Sequence, residues 1–218
     1  SMTDSPLNYL YTRPEMLALL PSASAVTMVL EVGCAEGRFA SQLPAAWTVW
    51  GVEVDAQSAA VAARTLDTVL AGRYADLAER IPENFFDLVI CNDVIEHMPD
   101  EDWFLESIKS KLRAGGTLVC SIPNVRNIHH LYELLVLKDW RYRDQGILDR
   151  THLRFFTQKS VLRSLAAHGF VVEECRGLNP TRHPLKRLLY GIAQCITLGN
   201  TADIECVQFG IRERKSSV

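Results

Sequence analysis

The residues best able to do chemistry in this chain gather around two glycines. Glu31-Val32-Gly33-Cys34-Ala35-Glu36-Gly37 sets acids before and inside a glycine turn, and Glu53 follows 20 residues after Gly33. Glycine at a strand end allows a tight turn and a close approach of ligand to backbone. A dinucleotide pattern, G-x-G-x-x-G, needs glycine at 33, 35 and 38, where this chain has Gly33, Ala35 and Arg38. Glu36 adds negative charge where a pyrophosphate would sit, and no G-K-[ST] of a phosphate loop follows. The turn therefore suits a nucleoside without phosphates that carries positive charge. S-adenosyl-L-methionine, with a sulfonium and an ammonium, has that character. Glu53 is placed to accept the ribose hydroxyl protons. Asp55 belongs to the same site or caps the next helix. Asp76 accepts from the adenine amino group or is a solvated loop acid.

These residues need a scaffold that brings strand ends together. Thr27–Val32, Thr48–Val54, Phe86–Cys91 and Thr117–Ile122 are apolar, β-branched runs without alternation, the pattern of parallel strands covered on both faces. Helical patterns lie between them: an alanine-rich stretch from Ser58 to Leu70, and residues 101–112 with Phe104, Ile108 and Leu112 on one stripe. Asp100, Glu101 and Asp102 open the second helix and Lys109, Lys111 and Arg113 close it, in the order the helix dipole favours. Gly115-Gly116 is expected to stop it. A short helix is expected after the glycine turn, around Phe39 and Leu43. Thr157 begins another, followed by late strands over Phe170–Cys175 and Asp203–Arg212. The alternation predicts an α/β fold: a Rossmann-like doubly wound sheet, mostly parallel with an antiparallel late strand, and helices on both faces. Residues 1–218 read as one domain. Residues 1–25 form a segment before the first strand, to which the resemblance given below assigns cover of the ligand; 124–156 are expected to form a lid-like helical insertion and 177–200 a second insertion.

With these pieces in place, the chain resembles the class I S-adenosylmethionine-dependent methyltransferases over most of residues 9 to 175. The resemblance rests on four segments: Val29 to Gly37, Gly51-Val-Glu-Val-Asp55, Phe86 through Asn92-Asp93 to Glu96-His97, and Leu112-Arg-Ala-Gly-Gly-Thr-Leu118. It implies S-adenosyl-L-methionine as cofactor, S-adenosyl-L-homocysteine as its product, and a sugar, glycan or other small-molecule acceptor. Gly33, Cys34, Ala35 and Gly37 would shape the cofactor loop, with Glu31 near the methionine ammonium. Glu53, Val54 and Asp55 would serve the ribose side, Asp76 with Leu77 the adenine, and Asn92, Asp93 and His97 the methionine side. Tyr9 and Arg13 match a segment that folds over the cofactor, Arg13 as partner of the methionine carboxylate; mere cover for the sheet is the alternative. Ala35 departs from the usual glycine, and cofactor approach survives there if the backbone does not need positive φ. Ile122–Arg126 and Gly146–Thr157 resemble a bacterial subgroup associated with sugar and cell-envelope glycan modification.

Methyl transfer to an alcohol or phenol requires loss of a proton, for which histidine is the usual base. His152 is the first candidate, with Asp149 orienting its ring; the alternative is a structural polar cluster that fixes the insertion. His97 is expected to pack under the cofactor. Glu96-His97 also has metal-ligand character, but no second cluster completes a site, so no metal is expected. His129 and His130 point to different helix faces, so at most one lines a pocket. Asn124 is a candidate to orient the acceptor, and Trp140 and Tyr142 form either an aromatic wall or the insertion's own core. The acceptor class stays open: hydroxyl methylation leads, with N- or C-methylation, a quinone-type phenol, and a cofactor-binding module without turnover as rivals.

Composition narrows the field. The 218 residues are 48% hydrophobic and 22% charged, with 23 basic and 26 acidic residues giving a net charge of −3. That excludes a disordered chain and gives no extended footprint for nucleic acid. Arg141, Arg143, Arg150 and Arg154 form a local patch that meets nucleic acid, a phosphorylated sugar or the insertion's own acids. None of the six cysteines forms a C-x-x-C pair. No apolar run reaches the ~18 residues of a spanning helix, and Ser1–Pro6 lacks a basic-then-apolar signal pattern. A cytoplasmic location is expected. Leu185, Leu188, Leu189, Ile192 and Ile196 follow helical spacing behind Arg182, Lys186 and Arg187. Residues 184–199 thus pack on the domain or a partner, or touch a membrane surface. The oligomeric state stays open.

Overall fold

The computed structural model describes residues 13–180, 191 and 202–216. Seven strands form one sheet: β1 Met28–Val32, β2 Thr48–Glu53, β3 Thr68–Ala71, β4 Phe86–Asn92, β5 Leu112–Pro123, β6 Phe170–Pro180 and β7 Cys206–Lys215. Their order is β3-β2-β1-β4-β5-β7-β6. The pairs β1–β2, β1–β4, β2–β3 and β4–β5 are parallel, while β7 runs antiparallel to both β5 and β6. The Rossmann-like, mostly parallel sheet with one antiparallel late strand is the fold the sequence predicts.

The continuous apolar runs are explained by cover on both faces. Successive side chains of a strand point to opposite faces. Thus Leu30, Val32, Val89 and Cys91 enter one core cluster, and Val29, Leu88 and Ile90 enter the other. The first cluster is closed by Tyr74 and Leu77 of α3 (Tyr74–Leu77), by Phe104 and Ile108 of α4 (Glu101–Lys111), and by Val161 and Leu165 of α6 (Gln158–Ala167). The second is closed by Met16 of α1 (Pro14–Leu17) and Ala62 of α2 (Ala56–Ala62), with Leu19 and Leu66 just beyond them.

Local chemistry sets the boundaries. Asp55 caps α2 by accepting from the Ser58 amide at 2.8 Å, and Asp100 caps α4 by accepting from the Trp103 amide at 2.9 Å. Thr157 and Ser160 form a capping box at the start of α6. The expected helix from Ser58 to Leu70 ends early, at Ala62. Asp67 accepts from the Val49 amide at 2.7 Å, and β-branched Thr68 and Val69 enter β3. Gly115-Gly116 does not stop α4. The helix ends at Lys111, and both glycines lie within β5 where its register with β4 shifts between Phe86 and Leu88. The helix expected after the glycine turn is only a 3₁₀ turn, Ala40–Gln42. β6 runs five residues past Cys175 to Pro180. The amphipathic stretch at 184–199, with its membrane or packing alternatives, lies outside the described residues, as does Tyr9. No helix among the described residues is long and apolar enough to cross a membrane.

Residues 124–156 leave β5 and return to α6. They carry α5 (Ile128–Tyr132), a π-helical turn at Glu133–Leu137 and a bend closed by pairing of Arg143 with Asp149. Two anchors hold the far end of this insertion. The Glu96 carbonyl accepts from the amides of Leu153 at 2.9 Å and Arg154 at 3.3 Å. The Arg154 guanidinium donates to the carbonyls of Met98 and Pro99 and pairs with Glu101.

A fully buried acid lies on β7. It is Glu213, and its only partner among the described residues is the Cys120 thiol, 3.6 Å from Oε1. Burial pushes its carboxyl up to about 8. The folded protein then keeps this proton through neutral pH, while the unfolded chain loses it near the ordinary value of 4.5. Stability from this group is complete below that ordinary value and is lost as pH rises towards 8. Melting temperature is therefore expected to fall between pH 5 and 8, and Glu213→Gln to flatten that decline. An unchanged slope in the variant would refute the assignment.

Candidate active site

The carboxyl ends of β1, β4 and β5 open on a cavity of about 290 Å³. One side is the glycine turn, with Glu31, Gly33, Cys34 and Ala35; the floor is Asn92, Asp93 and Glu96; and the insertion supplies Asp144 through Ile147, Asp149 and His152. Arg13, Pro123, Val207 and Gln208 complete the wall beside β5 and β7. This is the edge where open α/β sheets bind ligands.

The glycine turn is held from both neighbours. The amides of Gly33 and Cys34 donate to the Val52 carbonyl at 2.8 and 3.1 Å. Glu53 spans the gap: Oε2 accepts from the Ala35 amide at 2.8 Å and Oε1 from the Asp55 amide at 2.9 Å. Gly33 has φ +73°, and a Cβ there would lie 2.9 Å from Val94 Cγ2. Ala35 also has positive φ, 46°. The condition under which alanine replaces glycine freely is thus not met, and the turn carries roughly 1–2 kcal/mol of left-handed backbone strain. The bond from Ala35 to Glu53 holds it there. Asp55 is exposed and acts as the helix cap. Asp76 is exposed on α3 and Leu77 is buried. Glu53, Val54, Asp55, Asp76, Leu77 and Gly37 line no part of the cavity.

The acids around the cavity differ in their partners. Asp93 sits at φ 54° and is fully engaged. Oδ2 accepts from Arg13 at 2.8 Å, and Oδ1 accepts from Ser121 at 2.9 Å and Gln208 at 2.8 Å. Arg13 also reaches Ser121 and Gln208. Arg13 lines the cavity with its guanidinium held by this network. Glu36, expected to charge the turn, is paired with Arg38 at 3.2 Å. Glu31 is different: it is 2% exposed and Oε2 has no hydrogen-bond partner. Burial, with Glu53 adding repulsion against the pull of Arg13, pushes it up to about 8. Both amide atoms of Asn92 are also buried without partners. Burial raises the Cys34 thiol far above neutrality, so it is no nucleophile.

The far wall contains a group that sequence reasoning left incomplete. Glu96 is 1% exposed, and neither carboxylate oxygen has a partner. Burial, reinforced by Asp93, raises its carboxyl well above the usual range. His152 Nε2 lies 4.0 Å from Glu96 Oε1, and the rings of His97 and His152 meet edge to face at 4.7 Å. The fold therefore supplies the completing residue that the pair Glu96-His97 lacks in sequence. The 54 residues between His97 and His152 hid it. Ser121 and Gln208 were missed too, because only the antiparallel insertion of β7 beside β5 brings Gln208 opposite Pro123.

Several expected roles are corrected. Asp149 does not orient His152. Its Oδ1 accepts from the amide and hydroxyl of Thr151 at 2.7 and 2.6 Å, and the His152 ring is held by the Ile147 carbonyl, 2.9 Å from Nδ1. Asn124 does not face an acceptor. It is fully buried; Nδ2 donates to the carbonyls of Asp203 and Cys206, and Oδ1 accepts from the Arg126 amide. Trp140 and Tyr142 do not wall the cavity. Trp140 packs on His130 at 4.7 Å and Phe155 at 5.2 Å, and Tyr142 leans on Phe155. His129 pairs with Glu133, and His130 is buried under Trp140. The four arginines of the local patch meet acids of the chain itself: Arg141 with Asp139, Arg143 with Glu133, Arg150 with Asp144 and Arg154 with Glu101.

A strand-end glycine turn tied to an acid on the neighbouring strand, over a cavity with an unpaired buried carboxylate, defines a Rossmann-like site for a cationic nucleoside. The family comparison is more specific: the model of the methyltransferase domain matches residues 9–175, and the chain belongs to that family. It is an S-adenosylmethionine-dependent methyltransferase of class I. Among relatives, it is 26% identical over 166 residues to a ubiquinone biosynthesis O-methyltransferase from Idiomarina loihiensis, covering 68% of this chain and 67% of that one. It is 35% identical over 121 residues to a probable S-adenosylmethionine-dependent methyltransferase from Mycolicibacterium smegmatis, covering 54% of this chain and 46% of that one. The chain thus spans about two thirds of the first relative and under half of the second. Among solved structures, a SAM-dependent methyltransferase from Archaeoglobus fulgidus shares the fold with a TM-score of 0.64 at 18% identity, covering 94% of this chain and 95% of that one.

The two readings of Asn124 separate in one experiment. Asn124→Ala strips partners from two carbonyls and one amide in a buried site, and is expected to destabilise by roughly 2–4 kcal/mol. For a chain of this length that lowers the melting temperature by roughly 5–15 °C. A variant with unchanged melting and a raised KM for the acceptor would restore the acceptor role.

Proposed function

We propose that the chain methylates a hydroxyl oxygen of a small, polar acceptor, a sugar or the exposed end of a glycan. The single observation behind this reading is the wall of Glu96, His97 and His152 facing the glycine turn across the cavity. A hydroxyl needs such groups because it must shed a proton to become a nucleophile, whereas a neutral amine does not. Residues 124–156 serve as the acceptor insertion, since Asp144, Gln145 and Asp149 bring polar groups suited to several hydroxyls. A phenol is the second reading, favoured by the relatives named for ubiquinone biosynthesis. The position of Trp140 and Tyr142 outside the cavity speaks against an aromatic ring held by stacking.

The site residues fit the cofactor. Glu31 holds an orphaned carboxylate oxygen and Asn92 two orphaned amide atoms, donors and acceptors for an amino-acid end. Gly33 leaves space that a Cβ would fill. Glu53 keeps lone pairs for ribose hydroxyls beyond its two backbone bonds, and Val54 beside it is exposed. When bound, S-adenosylmethionine supplies a methyl group on a positively charged sulfur. The chain's residues align acceptor and donor and exclude water. His152 donates Nδ1–H to the Ile147 carbonyl, which leaves the Nε2 lone pair as its basic atom.

Glu31 gives a binding test free of turnover. Between the ordinary carboxyl value of 4.5 and about 8 it is protonated in the free protein. A ligand ammonium beside it favours the ionised form, so binding releases a proton and affinity rises with pH across that window. Calorimetry at pH 7 in buffers of different ionisation enthalpy is expected to show close to one proton released with S-adenosylhomocysteine. Glu31→Gln should abolish that release; an equal release in the variant removes Glu31 from the site. The acceptor class is tested with a tritiated methyl donor offered to nucleotide sugars, lipid-linked glycans, phenols and amines. Label in a sugar or glycan is the expected result, and label in amines alone defeats hydroxyl methylation.

A further inference from the structure

The geometry points to a divalent transition-metal site made by Glu96, His97 and His152, with its open positions facing the acceptor side of the cavity. Resting on the hydroxyl-acceptor reading above, the bound cation lowers the pKa of an acceptor hydroxyl, whose proton passes to solvent, so that with metal bound His152 Nε2 serves as ligand rather than as base. One ligand atom from each residue lies within 4.8 Å of the other two. Two imidazoles and one carboxylate form a donor set suited to zinc and its neighbours, and three protein ligands leave room for an exogenous oxygen.

Three further observations support this. First, neither oxygen of Glu96 has a hydrogen-bond partner although the residue is 1% exposed. A buried carboxylate without donors is costly unless something cationic completes it. Second, each histidine is oriented by a backbone carbonyl. His152 Nδ1 lies 2.9 Å from the Ile147 oxygen and His97 Nδ1 lies 3.2 Å from the Thr151 oxygen. A carbonyl accepts only from a protonated Nδ1, so both Nε2 atoms keep their lone pairs. This is the arrangement that fixes the tautomer of metal-bound histidines. Third, all three residues line the same cavity as Glu31 and Gly33. One imidazole suffices as a general base; two lone pairs and an unpartnered carboxylate on one point are what a cation needs. Tetrahedral ligands about 2.1 Å from zinc stand roughly 3.4 Å apart. Binding therefore draws the three side chains together by about 1 Å.

The test is metal binding by the full chain, independent of methyl transfer. Protein stripped with chelator is titrated with Zn²⁺, and separately with Co²⁺ while the visible d–d spectrum is followed. One equivalent is expected to bind at micromolar or tighter dissociation constant, with the intense visible band of a low-symmetry cobalt site. His152→Ala and the isosteric Glu96→Gln are each expected to weaken binding at least 30-fold, provided circular dichroism shows them folded. His168→Ala, remote from the cavity, controls for adventitious binding at a surface histidine and should leave affinity unchanged. S-adenosylhomocysteine affinity, measured with and without metal, is expected to change less than threefold, because the ligands face the acceptor. Folded wild-type protein without saturable binding, or binding that survives Glu96→Gln or His152→Ala in folded protein, overturns the site and leaves a purely structural cluster. Stoichiometric metal with no label transferred to any hydroxyl overturns the acceptor reading and leaves the metal site standing.

Discussion

An excess of buried carboxylate at the carboxyl edge of the sheet governs the rest of the site. Parallel strands all end at one edge, so the acids at or just past the ends of β1, β2 and β4 converge there. Glu31, Glu53, Asp93 and Glu96 gather near the half-buried guanidinium of Arg13, which pairs with Asp93. Glu53 is satisfied by two backbone amides. What remains is Glu31 on one side and Glu96 on the other, each buried and each with an oxygen that has no hydrogen-bond partner among the described residues. A site of this kind is completed by cations or by protons. At neutral pH the raised carboxyl of Glu31 takes the second course until a cation arrives.

The same constraint explains why the turn is acidic yet precise in its geometry. Removing Glu53 would free the Ala35 amide, and with it the hold on a residue at positive φ that alanine does not favour. The backbone strain at Ala35 and Asp93 flanks the cavity on both sides, where strained conformations commonly serve ligand placement. The Asp93 conformation is over-determined by Arg13, Ser121 and Gln208, drawn from the segment before β1 and from β5 and β7. The network therefore couples the entry of the chain to the late antiparallel strand. This gives β7 a part in the site that strand order alone would not reveal.

How far the sequence discloses all this depends on the range of the interaction. Gly33, Glu53 and the apolar runs were legible because each is a local pattern: a turn, a strand end, a face covered on both sides. The end of the alanine-rich helix was misjudged because Asp67 stops it through a bond to Val49, on another strand. Asn124 was misread for a similar reason. Its position after β5 is a site position by topology, but the return of the chain through Asp203 and Cys206 buries it and takes its amide. Asp149 and His152 are close in sequence, which made a dyad plausible. The turn at 147–152 instead gives the ring to a carbonyl and the carboxylate to Thr151.

The insertion shows why separation in sequence does not measure separation in function. Its anchor is the Glu96 carbonyl, which receives the amides of Leu153 and Arg154. The backbone of Glu96 thus positions the segment that carries His152, while its side chain receives the imidazole that the segment delivers. One residue sets both the path of the chain and the chemistry at its end. A shift of the insertion along the cavity would break those two amide bonds and part His152 from His97 at the same time. The path of the insertion and the grouping of Glu96, His97 and His152 therefore depend on one another.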